Sequence, residues 1–380
     1  MTLTKRGWTL IIFWAWSALP YRIGGRLEKT FMERGMKTIS QREQMILGAV
    51  VDAYVESGEP VGSRTISKTG LGISAATIRN TMSDLEEKGL VYQPHTSAGR
   101  IPTDQGYRYY VDRLMSSGTL MEMQSEKVRA QVMEHIREGN VEDILAQISR
   151  VIADVSHHLG LVLSPRFEQG VFRRLEFVSL TDRRILLVLS IQSGLVKTMA
   201  IEVDSPVDPA QLFETVQALN ERLSGLTVGE LKKSAHERLQ EVRKGDPKLL
   251  RLIADETVAM CSQRHGEDLH MGGAGNIFLQ PEFRDRQALV GIVNVLEARN
   301  PIVGVLESRM AQEGVAITIG NENRSVPEIQ ACSLVTSRYR VGATSGVVGV
   351  IGPTRMHYLQ VSSLVRFVAR LTEELMGEKG

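Results

Sequence analysis

Four polar side chains recur on one side of a predicted helix and could form hydrogen bonds with the edges of DNA bases. They are Thr77, Arg79, Asn80 and Ser83. Ser74 is a favourable N-cap for this helix, and Gly89 is a favourable stop at its C-terminus. An arginine can bind guanine and an asparagine can bind adenine through paired hydrogen bonds, and a helix fits into the major groove. The opposite side of the helix is apolar, through Ala75, Ile78, Met82 and Leu85.

Two predicted helices precede this one and would position it. The run Ser40-Gln-Arg-Glu43 is a capping box that opens the first helix, and Gly58-Glu-Pro60 ends it. Val61-Gly-Ser63 is predicted to cap a short second helix that ends at about Thr69. Gly70-Leu-Gly72 then predicts a tight turn, because glycine accepts a positive φ without strain. This order is typical of a helix-turn-helix, which also occurs in scaffolds and interaction modules.

A hairpin is predicted directly after the third helix. Residues 90–93 and 100–102 read as two short strands around a tip at residues 94–99. Hydroxyl groups and cations at such a tip suit contact with phosphates, because a bound cation releases counterions from the DNA. Candidates for contact with the DNA backbone lie between the second helix and the residues that follow the hairpin. They are Arg64, Lys68, His95, Thr96, Ser97, Arg100 and Arg108.

These runs of residues resemble the family of bacterial heat-inducible transcription repressors, HrcA. The resemblance rests on Gly62–Ile66, Ala76–Asn80, Asp84–Leu90, Gln93–Asp104 and Gly106–Asp112 near one end of the chain. Further similar runs are Gly275–Phe278, Pro281–Phe283, Ile319–Asn323 and Gly349–Tyr358. The similarity therefore extends over roughly residues 37 to 376.

The resemblance implies an α+β multidomain fold with four parts. They are a winged helix-turn-helix domain at residues 36–115, a helical linker at 116–160, a GAF-like α+β domain at 161–206 and 271–380, and a mainly helical inserted dimerisation segment at 207–270. It also implies a homodimer that represses chaperonin and related heat-shock operons by binding an inverted-repeat operator, named CIRCE. The GroE chaperonin is the modulator that the resemblance implies.

The pattern of apolar residues predicts the architecture of the rest of the chain. Residues 171–180, 184–192 and 196–203 alternate as three strands joined by short turns, which is typical of an antiparallel meander. Residues 209–263 follow a helical period, and strand patterns return at 315–319, 332–340 and 347–351. We expect one sheet that is interrupted by helices and then resumed.

Composition narrows the class of protein. The chain has 380 residues, 42% of them hydrophobic, and a formal net charge of +1, which argues against a nonspecific polyanion binder. Its two cysteines, Cys261 and Cys332, cannot form a disulfide framework, so a reducing cytoplasm fits best.

Few residues suggest a cofactor or catalysis. Cys261, His265 and His270 have no apparent fourth ligand for a structural zinc ion, and the glycine-rich run 271–276 lacks the lysine of a P-loop. His157, His158 and His357 have no nucleophile at a suitable turn. We therefore expect no metal, no cofactor and no enzymatic activity. The alternative function is a regulator of the same DNA-binding type whose GAF-like domain senses a small molecule.

Residues 1–35 differ in character from the rest. A charged start, Lys5-Arg6, precedes an apolar run at residues 8–19, and all three tryptophans lie in this region. A secretory signal is one interpretation, although it would separate a DNA-binding domain from DNA. The run is shorter than the roughly 20 apolar residues of a membrane span. We expect instead that translation starts at Met36, and we expect no membrane partner.

Overall fold

The computed structural model describes residues 38–115, 122–135, 141–203, 206–240, 247–262 and 268–377. The predicted extension at residues 1–35 lies outside the described residues, as do parts of the predicted helical linker. Residues 38–115 are called the head below, and the remaining described residues are called the body.

The head contains four helices and a hairpin. Helices α1 (Gln41–Ser57), α2 (Ser63–Ser67) and α3 (Ala75–Glu87) are followed by strands β1 (Val91–Tyr92) and β2 (Ile101–Pro102), and then by α4 (Asp104–Tyr109). A π-helical turn, Tyr110–Leu114, continues α4. The predicted capping box is confirmed, since the Ser40 and Glu43 side chains each accept a hydrogen bond from the other's backbone N–H. Within the predicted cap of α2, residues 61–63, Gly62 occupies the N-cap position, and no side-chain hydrogen bond caps this helix.

The body elements follow in chain order. They are α5 (Glu122–His135), α6 (Val141–Ser156), β3 (Leu159–Leu163), β4 (Phe172–Thr181), β5 (Arg184–Ile191), β6 (Val196–Glu202), α7 (Pro209–Leu223), α8 (Val228–Gln240), α9 (Pro247–Ser262), β7 (Leu269–Gly272), α10 (Ala274–Phe278), α11 (Arg286–Glu297), α12 (Asn300–Arg309), β8 (Val315–Ile319), β9 (Cys332–Val341), β10 (Thr344–Pro353) and α13 (Tyr358–Gly377). Short 3₁₀ turns lie at Phe167–Gln169, Pro281–Arg284, Gly320–Glu322 and Pro327–Ile329.

A five-stranded antiparallel sheet forms the centre of the body. Its strand order is β7-β3-β10-β9-β8. One face is covered by α6 and α13, which bury Ile148 and Val365 with strand residues such as Val348. The other face is covered by α11 and α12. Burial on both faces explains why β3 is buried at every position and reads as a continuous apolar run.

The strands β4, β5 and β6 form a second sheet of their own. They pair as the predicted meander, but none of them pairs with a strand of the five-stranded sheet. Their inner residues, including Leu175, Leu187 and Ile201, pack with α7, α8 and α9 in a separate core. The prediction of one interrupted sheet is therefore wrong. The chain between β3 and β7 contains strands as well as helices. The limits of the inserted segment, residues 207–270, stay a prediction.

No single helix among the described residues has the length and apolar character needed to cross a membrane. By length and composition alone, one bent pair, Leu289–Glu297 with Asn300–Arg309, meets that test together, with an angle of 82° between its halves.

A close backbone contact holds the hairpin against the start of α2. Val61 and Arg100 exchange two backbone hydrogen bonds of 2.9 Å each. Gly99 lies so close to Val61 that a Cβ atom at this position would overlap the Val61 carbonyl group. Because backbone atoms cannot turn away as a flexible side chain can, glycine is the residue that this contact permits.

We predict that Gly99→Ala lowers the local stability of the hairpin by about 1–3 kcal/mol, because the added methyl group overpacks a backbone contact. Amide hydrogen exchange of Val61 and residues 90–102 would measure the loss. Gly48→Ala is the matched control in the same head, because its Cβ would meet only Leu114 Cδ1 at 3.8 Å. We expect that control to gain up to about 1 kcal/mol, since alanine favours a helix. Equal exchange in the two variants would contradict the prediction.

Candidate nucleic-acid interface

The outer side of α3 has the polarity that the sequence predicts. The Ser74 hydroxyl accepts a hydrogen bond of 3.2 Å from the Thr77 backbone N–H and so caps the helix. Ile78, Met82 and Leu85 are buried against the rest of the head. Arg79 and Asn80 are exposed, whereas Thr77 and Ser83 are half-buried. The helix therefore presents a polar surface while its apolar side holds it in place.

The four candidate side chains on α3 differ in their availability. The Thr77 hydroxyl lies 2.9 Å from the Ser74 hydroxyl, and the Ser83 hydroxyl donates to the Arg79 backbone carbonyl at 3.4 Å. Arg79 and Asn80 have no side-chain hydrogen bond or ion pair with any residue that the structure describes. These two side chains can thus bind a ligand without breaking a contact inside the protein.

Candidate phosphate contacts lie beside α3 on two other elements. Arg64 and Lys68, at the short helix α2, are exposed. His95, Thr96 and Ser97 are exposed at the hairpin tip. Gln93 shapes this tip, because its side-chain amide donates to the carbonyls of Thr96 and Ala98 at 3.0 and 2.9 Å.

Arg100 and Arg108 are placed differently from the other candidates. The Arg100 guanidinium pairs with Glu86 at 2.8 Å and is 16% exposed, so it ties the hairpin to the end of α3. Arg108 pairs with Asp112 and with Glu322 of the body, and its side chain is 14% exposed. Carboxylates of the protein already pair with both cations, so a phosphate would have to compete with them. The two phosphate contacts stay predictions. The partners of Arg108 in the body lie more than 200 residues away in sequence, so no local pattern shows them.

A half-buried ion pair fixes the end of α3 to α1. Lys88 Nζ lies 2.5 Å from Glu43 Oε1, and Glu43 also belongs to the capping box of α1. Burial raises the pKa of Glu43, but the hydrogen bonds from Lys88 and Ser40 outweigh that effect, so the pKa is lowered overall. Sequence reasoning assigned Glu43 only to the cap. Its contact with Lys88 orients α3 with respect to α1.

A cleft of about 690 Å³ separates the base of the hairpin from the body. Tyr54, Tyr92 and Tyr107 of the head line it together with Glu282 and Gln330 of the body. The cleft lies at the junction of head and body rather than between the five-stranded sheet and its helices.

Cys332 and His158 are buried and His270 is half-buried, whereas His157 and His357 are exposed. Burial raises the pKa of Cys332 to about 12, and burial lowers the pKa of His158 to about 4. His270 Nε2 lies 2.8 Å from Glu142 and 3.3 Å from Ser164. Within the described ranges, no three histidine, cysteine or acidic residues are grouped as a metal site would require. The side chain of Cys261, and His265 as a whole, lie outside those ranges.

Comparison with known proteins gives consistent results. The family model described as "HrcA protein C terminal domain" matches residues 142–361. A heat-inducible transcription repressor HrcA from Geobacter sulfurreducens is 38% identical over 346 residues, which cover 90% of this chain and 99% of that protein. The same repressor from Chlorobium phaeobacteroides strain BS1 is 39% identical over 355 residues, covering 89% and 98%. A crystal structure described as a hypothetical protein aligns with a TM-score of 0.62 at 21% identity, covering 90% of this chain and 100% of that one.

We predict that Glu43→Gln destabilises the contact between α1 and α3 by about 1–2 kcal/mol at neutral pH, because a charged hydrogen bond becomes a neutral one. A carboxylate with a lowered pKa stabilises the folded state above its unfolded pKa of about 4.3, and this contribution is lost as the pH falls through the lowered pKa. The difference between wild type and variant should therefore narrow below about pH 4. Hydrogen exchange of α1 and α3 across pH measures this difference, with the exposed Glu56→Gln on α1 as control. A difference that does not change with pH would contradict the role of the Glu43 charge.

Proposed function

The chain belongs to the HrcA family of heat-inducible transcription repressors, and we propose that its head is a winged helix-turn-helix that inserts α3 into the major groove of an operator. As a member of that family the chain is a transcription repressor and not an enzyme. In this proposal α2 and α3 are the two helices of the motif, and the hairpin β1–β2 is the wing. The body would correspond to a GAF-like domain with an insertion, and the repressor would act in the cytoplasm.

The availability of Arg79 and Asn80 is the observation that carries this proposal. Both are exposed, and neither is paired with a described residue. Arginine and asparagine are the side chains that bind guanine and adenine in the major groove through two hydrogen bonds each. Thr77 and Ser83 flank them and can add single hydrogen bonds by rotating their hydroxyl groups. The order of base contacts along α3 would then determine which operator sequence the protein binds.

Arg64 and Lys68 support the same docking as phosphate contacts. Arg64 lies on α2 and Lys68 is its C-cap residue. Because α2 packs against α3, both would face the DNA backbone beside the groove. The exposed tip residues His95, Thr96 and Ser97 can reach the backbone or minor groove on the other side. Phosphate contacts position a protein on DNA but carry no sequence information.

We propose further that the repressor binds the inverted-repeat operator CIRCE as a homodimer. Two-fold symmetry in the protein matches an inverted repeat in the DNA. The outer face of the β4–β5–β6 sheet supports this assembly, because Val178, Leu180 and Val196 are 51%, 48% and 51% exposed there. The inner face of the same sheet is filled by its own helices. GroE chaperonin as a modulator of the repressor is part of the same proposal.

We predict that Asn80→Ala weakens binding to the inverted repeat by about 1–3 kcal/mol and leaves binding to random DNA unchanged, because it removes one base contact. Arg64→Ala is the matched comparison, and it should weaken both and reduce the slope of affinity against salt by about one ion. Fluorescence anisotropy with operator and scrambled duplexes across salt concentrations measures these effects. An equal loss on both duplexes for Asn80→Ala would overturn the base-contact assignment.

We predict that Val178→Asp raises the dimer dissociation constant at least tenfold, because a carboxylate buried in an apolar interface loses its hydration. Sedimentation velocity over a dilution series measures the dissociation constant. Phe213→Asp on α7 is the control, since Phe213 is 54% exposed in the same unit but not on the sheet. A dimer lost in the control and kept in Val178→Asp would place the interface on the helices.

A further inference from the structure

The head and the body share one apolar core. Tyr107 of α4 is 2% exposed, and its ring centroid lies 5.8 Å from that of Tyr358 of α13. The Tyr358 hydroxyl lies 2.7 Å from the Ser333 hydroxyl and donates to the Thr354 carbonyl at 2.6 Å. Buried residues of α1 and α3 belong to the same cluster as those of β9 and α13. The head is therefore seated on the body rather than suspended from it.

Arg108 forms the first polar contact of this junction. Its guanidinium donates to Glu322 from Nε at 2.8 Å and from Nη2 at 2.5 Å, and Nη2 also donates to the Ile317 carbonyl at 2.7 Å. The Asp112 carboxylate accepts from Nη1 at 3.1 Å. Burial lowers the pKa of Arg108, but the two carboxylates raise it by more, so the group stays charged. Paired hydrogen bonds of this kind fix the direction as well as the distance of a contact.

Asp104 forms a second polar contact beside it. One carboxylate oxygen of Asp104 accepts from the Asn321 backbone N–H at 2.9 Å and from its side-chain amide at 3.0 Å. Gly320 allows this approach, since it has a φ of +51° and a Cβ there would overlap the Asp104 carboxylate. The turn Gly320–Glu322 of the body thus contacts Asp104 and Arg108, which lie one helical turn apart on α4.

Arg355 of the body forms a third contact, near the C-terminal end of α1. Its Nη1 donates to the Val55 carbonyl at 3.0 Å, and its Nε pairs with Glu282 at 2.5 Å. Gly58, the C-cap of α1, lies against the same guanidinium. Contacts at two separate elements of the head, α1 and α4, restrain its rotation as well as its position.

We propose that the polar contacts of Asp104 and Arg108 with the turn Gly320–Glu322 determine which spacing between half-sites the repressor accepts. This inference rests on the proposed dimer and its inverted-repeat operator. Apolar burial is not directional, whereas hydrogen bonds weaken steeply as they bend, so the polar rim sets the angle of each head. When both heads are fixed on the dimer, the distance and rotation between the two α3 helices are fixed as well.

DNA geometry makes such a restraint measurable. Each added base pair moves one half-site by about 3.4 Å along the axis. It also rotates that half-site by about 34°, because a turn contains about 10.5 base pairs. Five added base pairs therefore place the second half-site on nearly the opposite side of the duplex, where a fixed head cannot reach it.

The test compares wild type with the double variant Asp104→Ala/Glu322→Ala and with Asp104→Ala alone. Each full-length protein is titrated with the native operator, with operators carrying one to five extra base pairs between half-sites, and with an isolated half-site. We expect wild type to lose at least tenfold in affinity at five added base pairs. The double variant should lose less than threefold, Asp104→Ala should be intermediate, and all should bind the half-site equally.

Two further variants separate a restraint from a general loss of stability. Asp104→Asn keeps an oxygen that can accept from Asn321, so we expect it to retain the spacing preference of wild type. Arg129→Ala removes an exposed ion pair with Glu374, away from the junction, and should also behave as wild type. The same spacing preference in wild type and the double variant would overturn the inference. Failure of wild type to prefer any operator or half-site over random DNA would overturn the proposed function, and this inference with it.

Discussion

The placement of the head depends on the ion pair of the half-buried Arg108 guanidinium with the body. A charge with 14% of its side chain exposed is tolerated only when its donors are paired, and Glu322, Asp112 and the Ile317 carbonyl pair them. Because Glu322 and Ile317 belong to the body, Arg108 has these two partners only while the head contacts the body. Tyr107 and Tyr358 provide apolar packing at the same junction. Apolar packing is not directional, so the polar contacts set the angle of the head on the body.

The basic residues of the head divide into two groups with different roles. Lys88, Arg100 and Arg108 neutralise carboxylates of the protein and hold α1, the hairpin and the body in place. Arg64, Lys68 and Arg79 are exposed and unpaired among the described residues. This division explains how a chain with a formal net charge of +1 can present cations to DNA. A repressor of this kind would recognise its operator through contacts of individual side chains rather than through a high net positive charge.

The two sheets of the body also differ in their roles. The five-stranded sheet is buried on both faces, so it serves as the rigid support of the head. The three-stranded sheet is buried on one face only, and its other face exposes valine and leucine side chains. One sheet thus holds the head, and the other has an exposed apolar face, which we propose as the contact with a second copy of the chain. Together they would give a dimer whose two heads have a defined separation.

Much of the head could be predicted from local sequence, because its signals act over a few residues. The capping box at Ser40, the cap at Ser74 and the positive φ of Gly70 and Gly72 depend only on neighbouring residues, and the structure contains all of them. Strand alternation also predicted the meander of β4 to β6, because the side-chain period is local. What local pattern could not determine is pairing between distant segments. The separation of the two sheets, the contact of Glu43 with Lys88 and the burial of Arg108 against Glu322 each depend on which surfaces meet when the chain folds, and only the tertiary structure decides that.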